Sequence, residues 1–266
     1  MNAMRDVQHQ ITESLGAQFA SVLHHAYAPY SHREEVVLLV LSDGSWVKGV
    51  RVENASYPLS IPAVMNALTT AASLGRMDVV LAMSNHKLEP YDVDYLEAAL
   101  GVSGSRAGDA VWLSGRDLPD ELGTPLSVIR TIQVSDHREG IAWARKAAEN
   151  AWIPESGFPV GSMLLNHAGE AVMGCNVESV DWPKCLCAER NTISTAISYG
   201  LKDWKALYLS CPKLPGGTPC GACRQVLMEF DPELDVVLDM GDYPPKVFKA
   251  KDLLPHSFEG DFLRKE

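Results

Sequence analysis

The sequence predicts a layered α/β protein built from two tandem copies of one domain. Two observations carry this expectation. Sliding the 266-residue chain along itself by 125 positions aligns its halves without a gap, with sixteen identities in the fifty positions from Pro29 to Asp78. The matches include turn formers (Pro29/Pro154, Gly44/Gly169, Gly49/Gly174, Pro58/Pro183, Gly75/Gly200) and the polar pairs Glu53/Glu178 and Asn66/Asn191. Within each copy, stretches with helical spacing also alternate with short β-like runs, which argues for sheets flanked by helices.

Each copy opens on an amphipathic helix, marked by Ile11, Leu15, Phe19 and Val22 in the first and by Ile141, Ala144, Ala148 and Ala151 in the second. Two apolar runs joined by an Asp-Gly or Ala-Gly turn follow, "EVVLLVLSDGSWVKGVRVEN" and "FPVGSMLLNHAGEAVMGCNVES", and read as β-hairpins. Next come helices from Ala63 to Leu74 and from Ala188 to Tyr199, the latter ended by Gly200. Then come the strand candidates "DVVLAM" and "ALYLS", a helix over "CGACRQVLMEF" and a last strand in "DVVLDM". "RDLPDELGTPLS", with Pro119, Gly123 and Pro125, reads as a connection. The expected division is residues 1–117, a linker over 118–133, and 134–266.

A net charge of −11 and a pI near 5.2 repel phosphate backbones, and no basic patch stands out. A small-molecule partner is therefore expected rather than a nucleic-acid polymer. The first residues lack a signal-peptide core and no apolar run suggests a membrane span, so the reading is a soluble, cytoplasmic protein with no membrane partner.

All six cysteines lie after residue 170, and in a cytosolic setting such crowding favours metal or catalysis over disulfides. The 125-residue offset places Cys187 on Pro62, Glu189 on Val64, Cys220 on Tyr95 and Cys223 on Ala98. Every chemically interesting group is thus absent from the first copy, as if a scaffold had been kept and one site emptied. Cys187, Cys220 and Cys223 could bind Zn²⁺ as thiolates and leave a fourth position open, as catalytic sites do. Glu189 would then approach that position without being a ligand. Arg190 could donate to the thiolates from outside the ligand set. Two readings compete: a closed four-sulfur knot with Cys185, and a redox CxxC pair. The emptied first copy and Glu189 weigh against the knot, and a redox pair expects a strand-to-helix context and leaves Cys187 and Glu189 unexplained. Cys175 and Cys211 read as small core residues.

"CAER" at 187–190 and "PCGACRQVLMEF" from Pro219 resemble the zinc-dependent cytidine deaminase family, as do "FPVG" at 158–161, "NVE" at 176–178 and "LLPHSF" at 253–258. The resemblance covers about residues 152–258 and, more faintly, "YAPYS" and "VENASY" in the first copy. "FPVG" and "NVE" point to the free-nucleoside branch. The resemblance implies two tandem cytidine-deaminase-like α/β/α domains, each a central mixed sheet flanked by helices, the first degenerate and zinc-free. It implies a hydrolase acting on a cyclic amidine, with cytidine or deoxycytidine as substrate in pyrimidine salvage. Catalysis would use a zinc-activated water attacking C4, with Glu189 carrying protons to N3 and to the departing amine. Substrate contacts would come from Phe158 on the base, Asn176 and Glu178 on the ribose, and Ala188. Phe258 would reach a neighbouring active site across a subunit interface.

The sequence departs from the family at Glu155, where tyrosine is usual, and at Asp181, Trp182, Pro183 and Lys184, which precede the first zinc ligand. These departures open an alternative substrate, another aminopyrimidine nucleoside such as a modified nucleoside or nucleoside antibiotic. A non-catalytic zinc-stabilised scaffold is the alternative from a different class. The metal lies in the second copy, and the three-thiolate set followed by arginine resembles the single-domain tetrameric branch. That implies a homodimer of two-copy chains mimicking a tetramer, with Tyr27 or Tyr30 as interface or lid residues.

Overall fold

The computed structural model describes residues 2–113, 115–260 and 263, with the backbone but not the side chains of residues 2–5, 107 and 182. The first half contains helices α1 (Asn2–Gly16) and α2 (Phe19–Leu23), strands β1 (Val36–Leu41) and β2 (Trp46–Val50), and helix α3 (Ala63–Ser73). It continues with β3 (Val79–Ser84), α4 (Pro90–Leu100), β4 (Gly104–Ala107) and β5 (Ala110–Leu113). The second half begins with β6 (Arg130–Thr131) and α5 (His137–Ala148), then β7 (Gly161–Asn166), β8 (Glu170–Cys175) and α6 (Ala188–Tyr199). It ends with β9 (Trp204–Ser210), α7 (Gly221–Phe230), β10 (Asp235–Leu238), β11 (Lys246–Lys249) and α8 (Ala250–Leu253).

Both hairpins form as expected. Their inner strands β1 and β7 are buried along their whole length, as strands covered on both faces must be. The single helix expected through Ile11, Leu15, Phe19 and Val22 is two helices. The chain tightens into a turn at Ala17 and Gln18, just after Gly16, whose low helix propensity favours a stop there.

The sheets run β2-β1-β3-β5-β4 and β11-β10-β9-β7-β8-β6. The second is mixed, because α7 carries the chain from β9 to a parallel β10 beside it. In the first sheet every ladder is antiparallel, because the β4–β5 hairpin enters with β5, not β4, next to β3. The 125-residue register also ends after β3. The N-caps of α4 and α7 are Glu89 and Cys220, 131 positions apart, so extra chain in the second copy precedes α7. Counted from the helix starts, Cys220 and Cys223 correspond to Glu89 and Asp92 rather than to Tyr95 and Ala98.

Residues 118–133 are held at both ends. Trp46 pairs with Thr124 and Leu126 through the backbone, and its indole N–H donates to Gly123 O (3.2 Å), while Arg130 and Thr131 pair with Ala171 and Glu170 of β8.

Helices α3 and α6 pack on each other and each touches the other's sheet, forming a shared middle layer. Glycine makes this closeness possible: a Cβ at Gly49 would lie 2.2 Å from Ala67 N, and one at Gly174 would lie 2.3 Å from Thr192 Oγ1. Ten successive residues of α3 are buried, polar ones included, so their hydrogen bonds must be made inside the protein. Asn66 Nδ2 donates to Ser198 Oγ (2.7 Å) and Val50 O (2.8 Å). Asn191 Nδ2 donates to Ser73 Oγ and Cys175 O, both at 2.8 Å. Thr70 and Thr195 join hydroxyl to hydroxyl at 2.9 Å. Each residue thus meets the repeat counterpart of its counterpart's partner, and Thr70 meets its own counterpart. A pseudo-two-fold axis passes between these threonines, as in a symmetric dimer fused into one chain.

Candidate metal centre and its pocket

Cys187 and Cys220 are the N-caps of α6 and α7, and neither uses its side chain to cap. Cys223 sits one turn into α7 and is buried. The sulfurs of Cys187 and Cys220 are 3.9 Å apart and those of Cys220 and Cys223 3.5 Å, with all three within 4.8 Å of one another. Tetrahedral zinc with Zn–S near 2.3 Å calls for sulfurs about 3.8 Å apart, so the donor set fits zinc. Without a cation the cluster favours one thiolate. Hydrogen bonding with Cys187 and Cys223, and then with N–H groups of α7, holds Cys220 far below the usual thiol range. Cys187 is pushed up by its bond with Cys220, and Cys223 by its bonds with Cys187 and Cys220. A divalent ion would relieve that competition, since it stabilises all three thiolates at once.

Glu189 follows on the first turn of α6, and burial raises its pKa to about 7. Ala188 between them is fully buried. The Nη2 of Arg190 donates to Leu59 O of the first half (3.0 Å). Its Nε is buried with no partner among the described residues, an orphan donor of the kind a thiolate would satisfy. Arg224 fastens the loop before α7, donating to Pro219 O (2.8 Å), Thr218 Oγ1 (2.9 Å) and Leu253 O (3.1 Å).

A cavity of about 530 Å³ opens beside Cys187, within the range of small-ligand sites. Glu155, Ser156, Phe158, Asn176, Glu178 and Cys185 contribute to its lining. Asn176 braces its wall, accepting from Val160 N (2.8 Å) and donating to Phe158 O (2.9 Å). Glu178 accepts from the N–H groups of Glu155 and Ser156, both at 3.0 Å, and from the Ser156 hydroxyl. Both side chains are partly committed to the backbone, though a carboxylate keeps acceptor sites to spare. Cys185 exchanges hydrogen bonds with the Ser179 backbone (3.2 and 3.4 Å) and lies outside the three-sulfur group. Asp181 and Lys184 form an ion pair at 3.4 Å. Phe258 does not line this cavity. Its backbone is held by Gln225 (2.8 and 3.2 Å) and its ring is exposed.

The corresponding place in the first half keeps the same clamp. Glu53 accepts from Tyr30 N (2.9 Å), Ser31 N (3.0 Å) and the Ser31 hydroxyl, as Glu178 does from Glu155 and Ser156. Arg51 stands where Asn176 stands, and its Nε binds Glu53 at 2.9 Å. Burial opposes the charge on Glu53, but the bonds from Ser31 and Arg51 outweigh it and hold the carboxyl below its usual range.

Three cysteine sulfurs at two helix starts, with a buried carboxyl beside them and an adjoining cavity, are a donor set that an open, hydrolase-type zinc centre could use on a doubled α/β/α scaffold. The comparisons narrow this class. Residues 134–238 and 2–83 match family models described as the cytidine and deoxycytidylate deaminase zinc-binding region. A cytidine deaminase of Sporosarcina psychrophila is 43% identical over 90 residues, 34% of this chain and 66% of that protein. One of Mycobacterium tuberculosis is 38% identical over 125 residues, 46% of this chain and 90% of that protein. The crystal structure of a cytidine deaminase from Burkholderia pseudomallei is 37% identical, covering 46% of this chain and 99% of that one, with a TM-score of 0.44. The chain belongs to the cytidine deaminase family, in a tandem-domain form, and its cofactor is zinc.

The bonds to Leu59, Arg224 and the Ser179 backbone were not foreseen from sequence, since each depends on tertiary placement.

Proposed function

We propose that the chain hydrolyses cytidine or deoxycytidine to uridine or deoxyuridine with release of ammonia, as in pyrimidine salvage. One observation carries the reading: three sulfurs spaced for one metal ion and a buried carboxyl of raised pKa stand beside a cavity sized for a nucleoside. Cys187, Cys220 and Cys223 would hold the zinc, which would supply Lewis-acid activation of water near neutral pH. Glu189 does the proton work. As carboxylate it takes one proton from the attacking water and passes it to ring N3; it then takes the remaining proton of the added hydroxyl and passes it to the amine, which leaves as ammonia. C4 thereby gains an oxygen and the C–N bond breaks. Phe158 packs on the base beside Ala188, Asn176 and Glu178 orient the sugar, and Arg190 supports the thiolates.

In this proposal residues 1–117 form the metal-free domain, 118–133 the connection and 134–266 the catalytic domain. The net charge of −11 supports a free nucleoside over a polymer. Among the described residues no helix is long and apolar enough to cross a membrane. Two chains would associate as a cytoplasmic homodimer, with Phe258 at the contact. Glu155 on the cavity wall supports a second substrate reading, another aminopyrimidine nucleoside.

Ammonia release from cytidine and deoxycytidine by the zinc-loaded protein, with Glu189→Gln in parallel, tests the proposal. Turnover by the wild type alone is the expected result. No turnover of either compound by a protein that holds zinc would move the assignment to other aminopyrimidines.

A further inference from the structure

Helix α7 carries two of the three sulfurs at its start and Glu229 near its end. Glu229 is six residues beyond Cys223, about 9 Å along the axis, so a hold on it bears on the roll and axial position of the whole short helix. What holds it is the other half of the molecule. Glu229 Oε1 accepts from Tyr30 Oη (2.8 Å) and Oε2 from Ala55 N (2.7 Å). The next residue, Phe230, packs on Tyr27 with ring centroids 4.9 Å apart.

These first-half residues are not an arbitrary patch. Tyr30 and Ala55 lie 125 positions before Glu155 and Val180, and Leu59, whose carbonyl holds Arg190, lies 125 before Lys184. They belong to the two segments that, in the second half, wall the nucleoside-sized cavity or run beside it. Gly260 passes over the same place, where a Cβ would lie 2.2 Å from Tyr30 Oη and 2.8 Å from Ala55 Cβ. The walls of the emptied pocket therefore grip the neighbouring centre.

We propose that the metal-free half is a positioning element for the zinc centre, in which Glu229, clamped by Tyr30 and Ala55, fixes the seat of the helix that presents Cys220 and Cys223. Glu229 is a positioning residue acting through α7. The inference rests on these cysteines holding the metal and is independent of which nucleoside is turned over.

The test is Zn²⁺ affinity of the full chain by competition with a chromophoric chelator, with the absorption spectrum of the Co²⁺-substituted protein reporting sulfur geometry. Glu229→Ala should weaken Zn²⁺ binding by about 10- to 100-fold, the range for residues that orient metal ligands, and should alter the Co²⁺ spectrum. Tyr30→Phe should weaken it less, and should add little to Glu229→Ala because both remove one clamp. Should Glu229→Ala not fold, Tyr30→Phe and Glu229→Gln carry the same comparison. Thr70→Val controls for general loss of stability: it should lower the melting temperature of the metal-free protein and leave Zn²⁺ affinity unchanged. Wild-type affinity and spectrum in the folded Glu229 and Tyr30 variants would overturn the inference, as would an equal loss in Thr70→Val. Wild-type affinity in Cys223→Ser would overturn the ligand assignment and the inference with it.

Discussion

Two helix starts, one in each half, carry different chemistry at the same positions. At α4, Glu89 and Asp92 form a reciprocal capping box, with Glu89 N donating to Asp92 Oδ2 at 2.9 Å. At α7 the N-cap and the residue three beyond it are Cys220 and Cys223, and no side chain caps the helix. The pockets differ in the same spirit. Arg51 answers Glu53 in the first half, while Asn176 leaves Glu178 without a cation of its own in that clamp. The Glu–Ser clamp survives in both because it holds a loop. The residue placed beside it, Arg51 in one half and Asn176 in the other, is what differs between the two clamps.

The largest effect expected is on the chemistry. Glu189→Gln should bind zinc normally yet lose about 10³-fold or more in kcat, measured by ammonia release at saturating cytidine. If the variant keeps more than a tenth of wild-type turnover, the functional asymmetry between the halves does not depend on this carboxyl. The shared middle layer comes next. Asn191 accepts from Thr195 Oγ1 at 3.3 Å as well as donating, whereas Asn66 Oδ1 has no partner among the described residues. Asn191→Ala should cost about 2–3 kcal/mol in urea unfolding and Asn66→Ala less, since the second leaves fewer groups unpaired. Equal costs would mean that the pseudo-symmetry is energetically complete.

Arg51→Asn copies the clamp of the second half into the first. It should cost about 1–2 kcal/mol by removing the partner of the buried Glu53, with the loss read from the urea midpoint at pH 7. No cost would show that the N–H and hydroxyl donors suffice, as they do for Glu178. The smallest effect concerns Asp92, whose pKa burial raises to about 6. Its proton binds the folded state more tightly than the unfolded one. That stabilisation is complete below about pH 4 and is lost as the pH rises through about 6. Asp92→Asn should therefore remove this pH dependence and gain about 1 kcal/mol at pH 7, visible as a melting temperature that no longer falls between pH 4 and 7. A slope unchanged by the substitution would place the titration on other groups.

The repeat was legible because Gly and Pro at turns, and glycines where helices press on strands, tolerate few substitutes. Gly49 and Gly174 are such positions. The sulfur trio was legible because a zinc site would need sulfur at particular helix starts, and Cys187, Cys220 and Cys223 do converge in space. A gapless comparison could not register the extra chain before α7, so it matched Cys220 with Tyr95. It could not show the swapped order of β4 and β5 either, because strand order is decided by pairing in space. Arg190 was expected to face the thiolates, and what its Nη2 meets, the Leu59 carbonyl, belongs to residues 131 positions earlier.

The axis between Thr70 and Thr195 has a consequence for how such a molecule can change. In an assembly of identical chains every substitution occurs on both sides of a two-fold axis, so a group that suits one side must be tolerated by the other. Joining the two sides in one chain removes that obligation. Tyr30 can remain a hydrogen-bond donor to Glu229 while Glu155, its counterpart, faces a cavity, and each can be altered without touching the other.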